Sequence, residues 1–195
     1  PMFNSGFADL ARQQARHTIE TFDGETPVVT PSGSCAAMVK VEYPHLFRED
    51  PHWLARAEAL AARTFELTDL LVNELNVVDV GARFRGTVAY HFACHLRLLN
   101  QSDEVVRLIE NIDGATYVPL NRQDQCCGFG GSFSVRYPDI SGRMVDDKTQ
   151  CIAATDADVV VSTDAGCLMN IGGRLRRLGQ PVQAMNIAEL LTQGG

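Results

Sequence analysis

Two adjacent cysteines followed by glycine, Cys126-Cys127-Gly128, sit inside a wider frame of thiols. Cys94 lies upstream with thirty-one residues between it and the pair, and Cys167 lies downstream in Asp164-Ala165-Gly166-Cys167. Neighbouring cysteines bond to each other only under strain, but both can turn a thiolate toward one soft metal centre. Four sulfurs arriving from three segments suit an iron–sulfur cluster or a zinc ion. Cys94 and Cys167 both stand where helices are expected to start, a position that lowers a thiol's pKa and favours the metal-bound thiolate. Gly128, Gly130 and Gly131 suit a loop whose backbone must approach a cluster closely and donate N–H bonds to sulfur. Four cysteines buried only for packing would not explain an adjacent pair beside glycines.

The other polar candidates divide into those near this frame and those outside it. His91 and His95 flank Cys94; each could ligate metal, move protons near neutral pH, or simply bond a loop carbonyl. Asp164, three residues before Cys167, is either a weak metal ligand or the cap of the helix that follows. Cys151 lies within a helical stretch beside Ile152 and Ala153 and reads as core. Cys35, in Pro31-Ser32-Gly33-Ser34-Cys35, is ambiguous by itself. Gly128-Phe129-Gly130-Gly131 is glycine-rich, but there is no dinucleotide-binding G-x-G-x-x-G after a strand and no Walker lysine. No Ser–His–Asp set stands out.

Composition narrows the function classes. The net charge of −7 over 195 residues argues against a nucleic-acid partner. Arg174, Arg176 and Arg177 form the one basic cluster and read as a solvated helix face. No stretch approaches the roughly 18 apolar residues of a transmembrane segment, and no basic-then-apolar leader is visible. Six cysteines without such a leader read as cytoplasmic thiols or ligands, not as a disulfide framework.

The elements that must position these residues follow from periodicity. Residues 8–22 have helix-forming composition, and Pro27 to Thr30 read as a short strand ending in the turn before Cys35. Trp53, Ala57, Leu60, Thr64, Leu67, Leu71 and Leu75 recur at steps of three and four and predict one long bridging helix. Gly81 to Gly86 read as a connector. Strands are then expected over 87–90, 115–119, 158–162 and 181–185. Helices are expected over 96–99, resuming at 105–112, and over 141–153, 167–178 and 187–191. This alternation predicts an α/β fold with a parallel sheet covered by helices. In such sheets binding groups gather in loops at the carboxyl ends of the strands, so Cys94, Cys126, Cys127 and Cys167 should share one edge.

Residues 28–35 (Val-Val-Thr-Pro-Ser-Gly-Ser-Cys) also resemble residues 160–167 (Val-Val-Ser-Thr-Asp-Ala-Gly-Cys) at a constant offset of 132. We read this as an internal repeat. The helix before each copy carries a base at the matched position, Arg16 and Lys148. Residues 1–80 would then be the rear part of a first module plus the bridging helix, and residues 81–195 a complete second module. A first Cys-Cys-Gly would fall a few residues before Pro1.

Taken together, Phe3-Asn4-Ser5-Gly6-Phe7, Pro31 to Cys35, Tyr90-His91-Phe92-Ala93-Cys94-His95, Cys126 to Gly131 and Asp164 to Met169 resemble the cysteine-rich CCG domains. These occur in heterodisulfide reductase, in the iron–sulfur subunit of glycolate oxidase and, most similarly, in the lactate-utilisation protein A family. The resemblance implies two CCG modules. Cys94, Cys126, Cys127 and Cys167 would be [4Fe–4S] ligands of the second, and Cys35 the last ligand of the first. It implies electron transfer during oxidation of L-lactate, beside partner iron–sulfur subunits. The reductase pattern ends in Cys-x-x-Cys, whereas this chain has Asp164 and Ser32 at the two corresponding positions. A four-cysteine cluster, or zinc in a structural or interaction module, therefore suits it better than a five-cysteine one.

Overall fold

The computed structural model describes residues 2–194. The chain opens with helix α1 (Ala8–Thr21), strand β1 (Val28–Thr30) and helix α2 (Gly33–Ala37). A π-turn over Met38–Glu42 and the short α3 (Tyr43–Leu46) lead to α4 (Pro51–Ala62). Helices α1, α3 and α4 bury Ala11, Ala15, Ile19, Tyr43, Leu46, Phe47, Ala57 and Leu60 against one another.

The single helix expected over Trp53–Leu75 is interrupted. Helix α4 stops at Ala62, and β2 (Thr64–Glu66) pairs in parallel with β1, Val28 opposite Thr64 and Thr30 opposite Glu66. Short α5 (Leu67–Asp69) and a π-turn over Leu70–Glu74 then resume the helical path. Apolar spacing persists through the break because a three-residue strand hardly disturbs the count. The β-branched Thr64 and aromatic Phe65 nevertheless suit the ladder to β1 better than a helix interior.

Glu66 ends β2 fully buried. Its Oε2 accepts from the Thr68 and Asp69 N–H groups, the Thr68 hydroxyl and the Gln101 amide, while Oε1 has no partner. Burial raises its pKa above the ordinary 4.5, outweighing the bonds from Thr68, Asp69 and Gln101 that lower it. A carboxyl raised on folding binds its proton more tightly in the native state, so stability falls as pH rises through the native pKa. Glu66→Gln is therefore expected to melt higher than wild type at neutral pH. That advantage should shrink as the pH drops below the native pKa of Glu66 and vanish below the ordinary 4.5; thermal melts across that range check it.

The second half is a four-stranded parallel sheet. Strand β3 (Arg83–Tyr90) is followed by a 3-10 turn over Cys94–Leu99, then α6 (Glu104–Glu110) and β4 (Asp113–Val118). Helices α7 (Ser132–Arg136) and α8 (Pro138–Ala153) precede β5 (Val159–Ser162), α9 (Ala165–Arg177), β6 (Gln183–Asn186) and α10 (Ile187–Leu191). The strand order is β4-β3-β5-β6, with Val88 level with both Tyr117 and Val159, and Val160 level with Ala184. Side chains alternate between faces. Val88, Tyr90, Val159 and Val161 pack with α6 and α10, and Ala89 and Val160 with α8 and α9. Helices thus cover both faces, as the alternation predicts.

Three local expectations are corrected. Gly81–Gly86 is not wholly a connector: β3 starts at Arg83, with an irregular register between Arg83 and Gly86. The helix expected at Leu96 is a tighter 3-10 turn that starts at Cys94. Arg174 is not merely solvated, since it pairs with Asp146 of α8, although Arg176 and Arg177 are exposed.

Candidate metal centre

Because all four strands of the larger sheet run the same way, their carboxyl ends form one edge, and each cysteine-bearing segment leaves from it. After β3, the His91 N–H bonds the Val161 carbonyl at 2.9 Å and the Phe92 N–H bonds the Gln123 carbonyl at 3.2 Å. This delivers Cys94 to the start of its turn. After β5, Asp164 caps α9 by accepting from the Gly166 N–H at 3.1 Å, which sets Cys167 in the first turn.

The loop after β4 is held from below by Lys148 of α8. This fully buried lysine donates to the Arg122 carbonyl at 2.5 Å and the Gln123 carbonyl at 3.2 Å. Arg97 donates to the Asp124 carbonyl and carboxylate, and the Tyr117 hydroxyl donates to the Gln123 side chain. The cysteine pair is then fixed individually. Asn170 of α9 donates to the Cys127 carbonyl at 2.9 Å, and the Gly128 N–H donates to the Cys126 sulfur at 3.4 Å.

The thiols meet in a continuous group. Cys127 Sγ and Cys167 Sγ are 3.0 Å apart. Cys126 lies beside the Cys127 and Cys94 thiols, accepts from the Gly128 N–H at 3.4 Å, and has His91 close by. These influences, in that order apart from the opposing cost of burial, hold its pKa far below the usual thiol range. Cys127 and Cys94 are pushed up, first by the neighbouring Cys126 thiol. Cys127 and Cys167 are buried, and Cys94 and Cys126 are half-buried, so the group opens to solvent on the latter side.

These residues fit a metal centre. Seven buried side-chain polar atoms lack a hydrogen-bond partner among the described residues, and five of them belong to His91, Gln125, Ser162 and Thr163. All four residues lie in the segments that lead to the cysteines. Unpaired polar atoms are costly when buried, and their concentration beside four soft donors marks an environment built around a charged or polar group.

The remaining candidates fall outside the sulfur group or on its margin. His95 sits on the Cys94 sulfur, Nδ1 to Sγ 3.7 Å. Asp164 is committed as a cap: Oδ1 serves Gly166, and Oδ2 accepts from the Ser34 N–H at 3.2 Å. Cys151 is core in α8, with the Arg122 guanidinium 3.6 Å from its sulfur. Cys35 is exposed on α2, whose N-cap Ser32 accepts from the Cys35 N–H at 3.3 Å. The segments 28–35 and 160–167 both fold as strand, polar cap and helix, which is compatible with a repeat. The clamps made by Lys148 and Asn170 were not legible in the sequence, where the one visible signal is a lysine among the apolar residues of α8.

Comparison with known proteins bears on this geometry directly. Residues 88–172 match the CCG cysteine-rich domain, a stretch that contains Cys94, Cys126, Cys127 and Cys167 but not Cys35. Over 192 residues the chain is 48% identical to lactate utilization protein A of Bacillus licheniformis, covering 98% of this chain and 80% of that protein. The chain belongs to the lactate utilization protein A family. The family member of Exiguobacterium sp. is 49% identical over 197 residues, covering 100% of this chain and 80% of that protein. The member from Geobacillus kaustophilus is 50% identical over 192 residues, covering 98% and 80%. Among the described residues, no helix is long and apolar enough to cross a membrane.

Proposed function

We propose that this chain is an iron–sulfur electron-transfer subunit of a 2-hydroxy-acid oxidation system, with L-lactate as the hydroxy acid. It works in the cytoplasm beside partner iron–sulfur subunits. The observation that carries this reading is the convergence of four thiols from three loops on one sheet edge, two of them buried and two half-buried. Cys94, Cys126, Cys127 and Cys167 would hold a [4Fe–4S] cluster, which when bound supplies one-electron transfer. The Gly128 N–H and the half-buried side at Cys94 and Cys126 are the chain's own means of tuning the sulfurs and admitting a partner. Cys35 would serve a further centre belonging to the module of residues 1–80, with residues 81–195 forming the other module.

The competing reading is a zinc-binding structural or interaction module. It is favoured by the compactness of the donors: one ligand atom each from His91, Cys127 and Cys167 lies within 4.8 Å of the others, a size that suits a single ion. Anaerobic purification separates the two. The electron-transfer reading expects a brown protein with iron and sulfide in similar amounts and a visible band that bleaches with dithionite. A colourless protein holding one tight zinc, inert to dithionite, would replace it.

A further inference from the structure

His91 is the first residue past β3, and its backbone N–H is fixed to the Val161 carbonyl across the sheet. Its side chain is fully buried, yet neither Nδ1 nor Nε2 has an aligned hydrogen-bond partner. A neutral imidazole carries one donor and one acceptor, and leaving either unpaired in the interior is costly. The Gln123 carbonyl lies beside the ring, but it already accepts from Phe92 and Lys148. A ring nitrogen, Cys127 Sγ and Cys167 Sγ all lie within 4.8 Å of one another.

We propose that His91 is a nitrogen ligand of the centre, acting beside Cys127 and Cys167 and taking the place that one of the two half-buried thiolates, Cys94 or Cys126, would otherwise hold. The proposal deepens the metal-centre reading above and rests on it. The arrangement occupies both ring nitrogens: one binds metal, and the other carries the N–H and turns to the Gln123 carbonyl. Metal-bound histidines are commonly oriented this way by a backbone acceptor. The neighbouring alternatives are already engaged. Both Asp164 oxygens are taken by backbone N–H groups, and the His95 ring sits on the outer, half-buried Cys94. A neutral nitrogen in place of a thiolate also reduces the negative charge on the centre, which makes it easier to reduce.

The test uses the full chain, reconstituted anaerobically with ferrous iron and sulfide and reduced by one electron. Pulsed electron paramagnetic resonance is recorded on wild type carrying natural-abundance or 15N-labelled histidine. We expect a strong nitrogen coupling that changes on labelling, persists in His95→Ala and is lost in His91→Ala. His91→Cys should keep the iron and lower the midpoint potential. The labelled wild type needs no variant to fold. If the chain holds zinc instead, Co2+ replaces it, and the visible spectrum should report nitrogen with sulfur, reverting to sulfur alone in His91→Cys. A wild-type centre that binds metal with no histidine coupling, or a coupling that survives His91→Ala, overturns the histidine assignment alone. A wild type that holds neither iron nor zinc overturns the metal-centre reading, and this assignment falls with it.

Discussion

Cys127→Ser is expected to remove essentially all metal from the centre while leaving the fold in place. Cys127 is only 2% exposed and its sulfur lies 3.0 Å from that of Cys167, so its loss removes a donor from the middle of the group. Serine differs by one atom, but its oxygen is harder, its O–H bond shorter, and its proton far less readily given up to a soft metal. The hydroxyl keeps a partner in Cys126 or Cys167, and the backbone of residue 127 keeps its bond from Asn170. The cost to stability should thus stay near the usual 0.5–3 kcal/mol range of single substitutions, roughly at its lower end. Elemental analysis of anaerobically prepared variant and wild type gives the comparison, with melting temperature as the check on folding. Cys151→Ser supplies the contrast. That thiol is buried in the core between α8 and the sheet, and its loss should leave metal content untouched. A Cys127→Ser protein with a full complement of metal would remove the sulfur group from the chemistry altogether.

The parts of this site that could be read from sequence are those written in short-range signals. Strand β5 is an apolar run, and it and α10 occur close to where the pattern puts them: Val159–Ser162 against an expected 158–162, and Ile187–Leu191 as expected, whereas β3 starts four residues before the expected 87. Once the strands of the larger sheet are parallel, the common edge for Cys94, Cys126, Cys127 and Cys167 follows from topology. What was not legible depends on partners far along the chain. Strand β2 exists because β1, thirty-six residues earlier when Val28 is set against Thr64, offers a parallel edge. Helical spacing within residues 53–75 carries no trace of that pairing. Lys148 likewise looks like a stray charge on an amphipathic helix until Arg122 and Gln123 present their carbonyls to it. His91 is similar: sequence places it beside Cys94, but only the fold removes all its polar partners and leaves it near Cys127 and Cys167.

The same distinction between local and distant constraint gives the second large effect, at Gly128. Its φ of +83° lies in the left-handed region, and a Cβ built there would meet the Ser141 carbonyl oxygen at 2.8 Å and Met144 Cβ at 2.9 Å. The first is backbone of α8, which cannot move without shifting the helix that carries Lys148. Alanine at 128 therefore combines a left-handed conformation, about 1–2 kcal/mol, with overpacking of about 1–3 kcal/mol. We expect Gly128→Ala to lose about 2–5 kcal/mol in urea unfolding and to carry less metal than wild type. The Gly128 N–H that bonds Cys126 would be displaced with the loop. Gly131→Ala separates the two causes. Gly131 also has a positive φ, +61°, though with ψ −109°, and nothing lies within 4 Å of its would-be Cβ. It should therefore show only the conformational cost, about 1–3 kcal/mol, and keep its metal. Equal losses at the two positions would mean that the contact with α8 does not set the height of the cysteine pair. The pair's placement would then have to come from the side chains of Asn170, Lys148, Arg97 and Tyr117 that hold the loop, which makes those the next to remove.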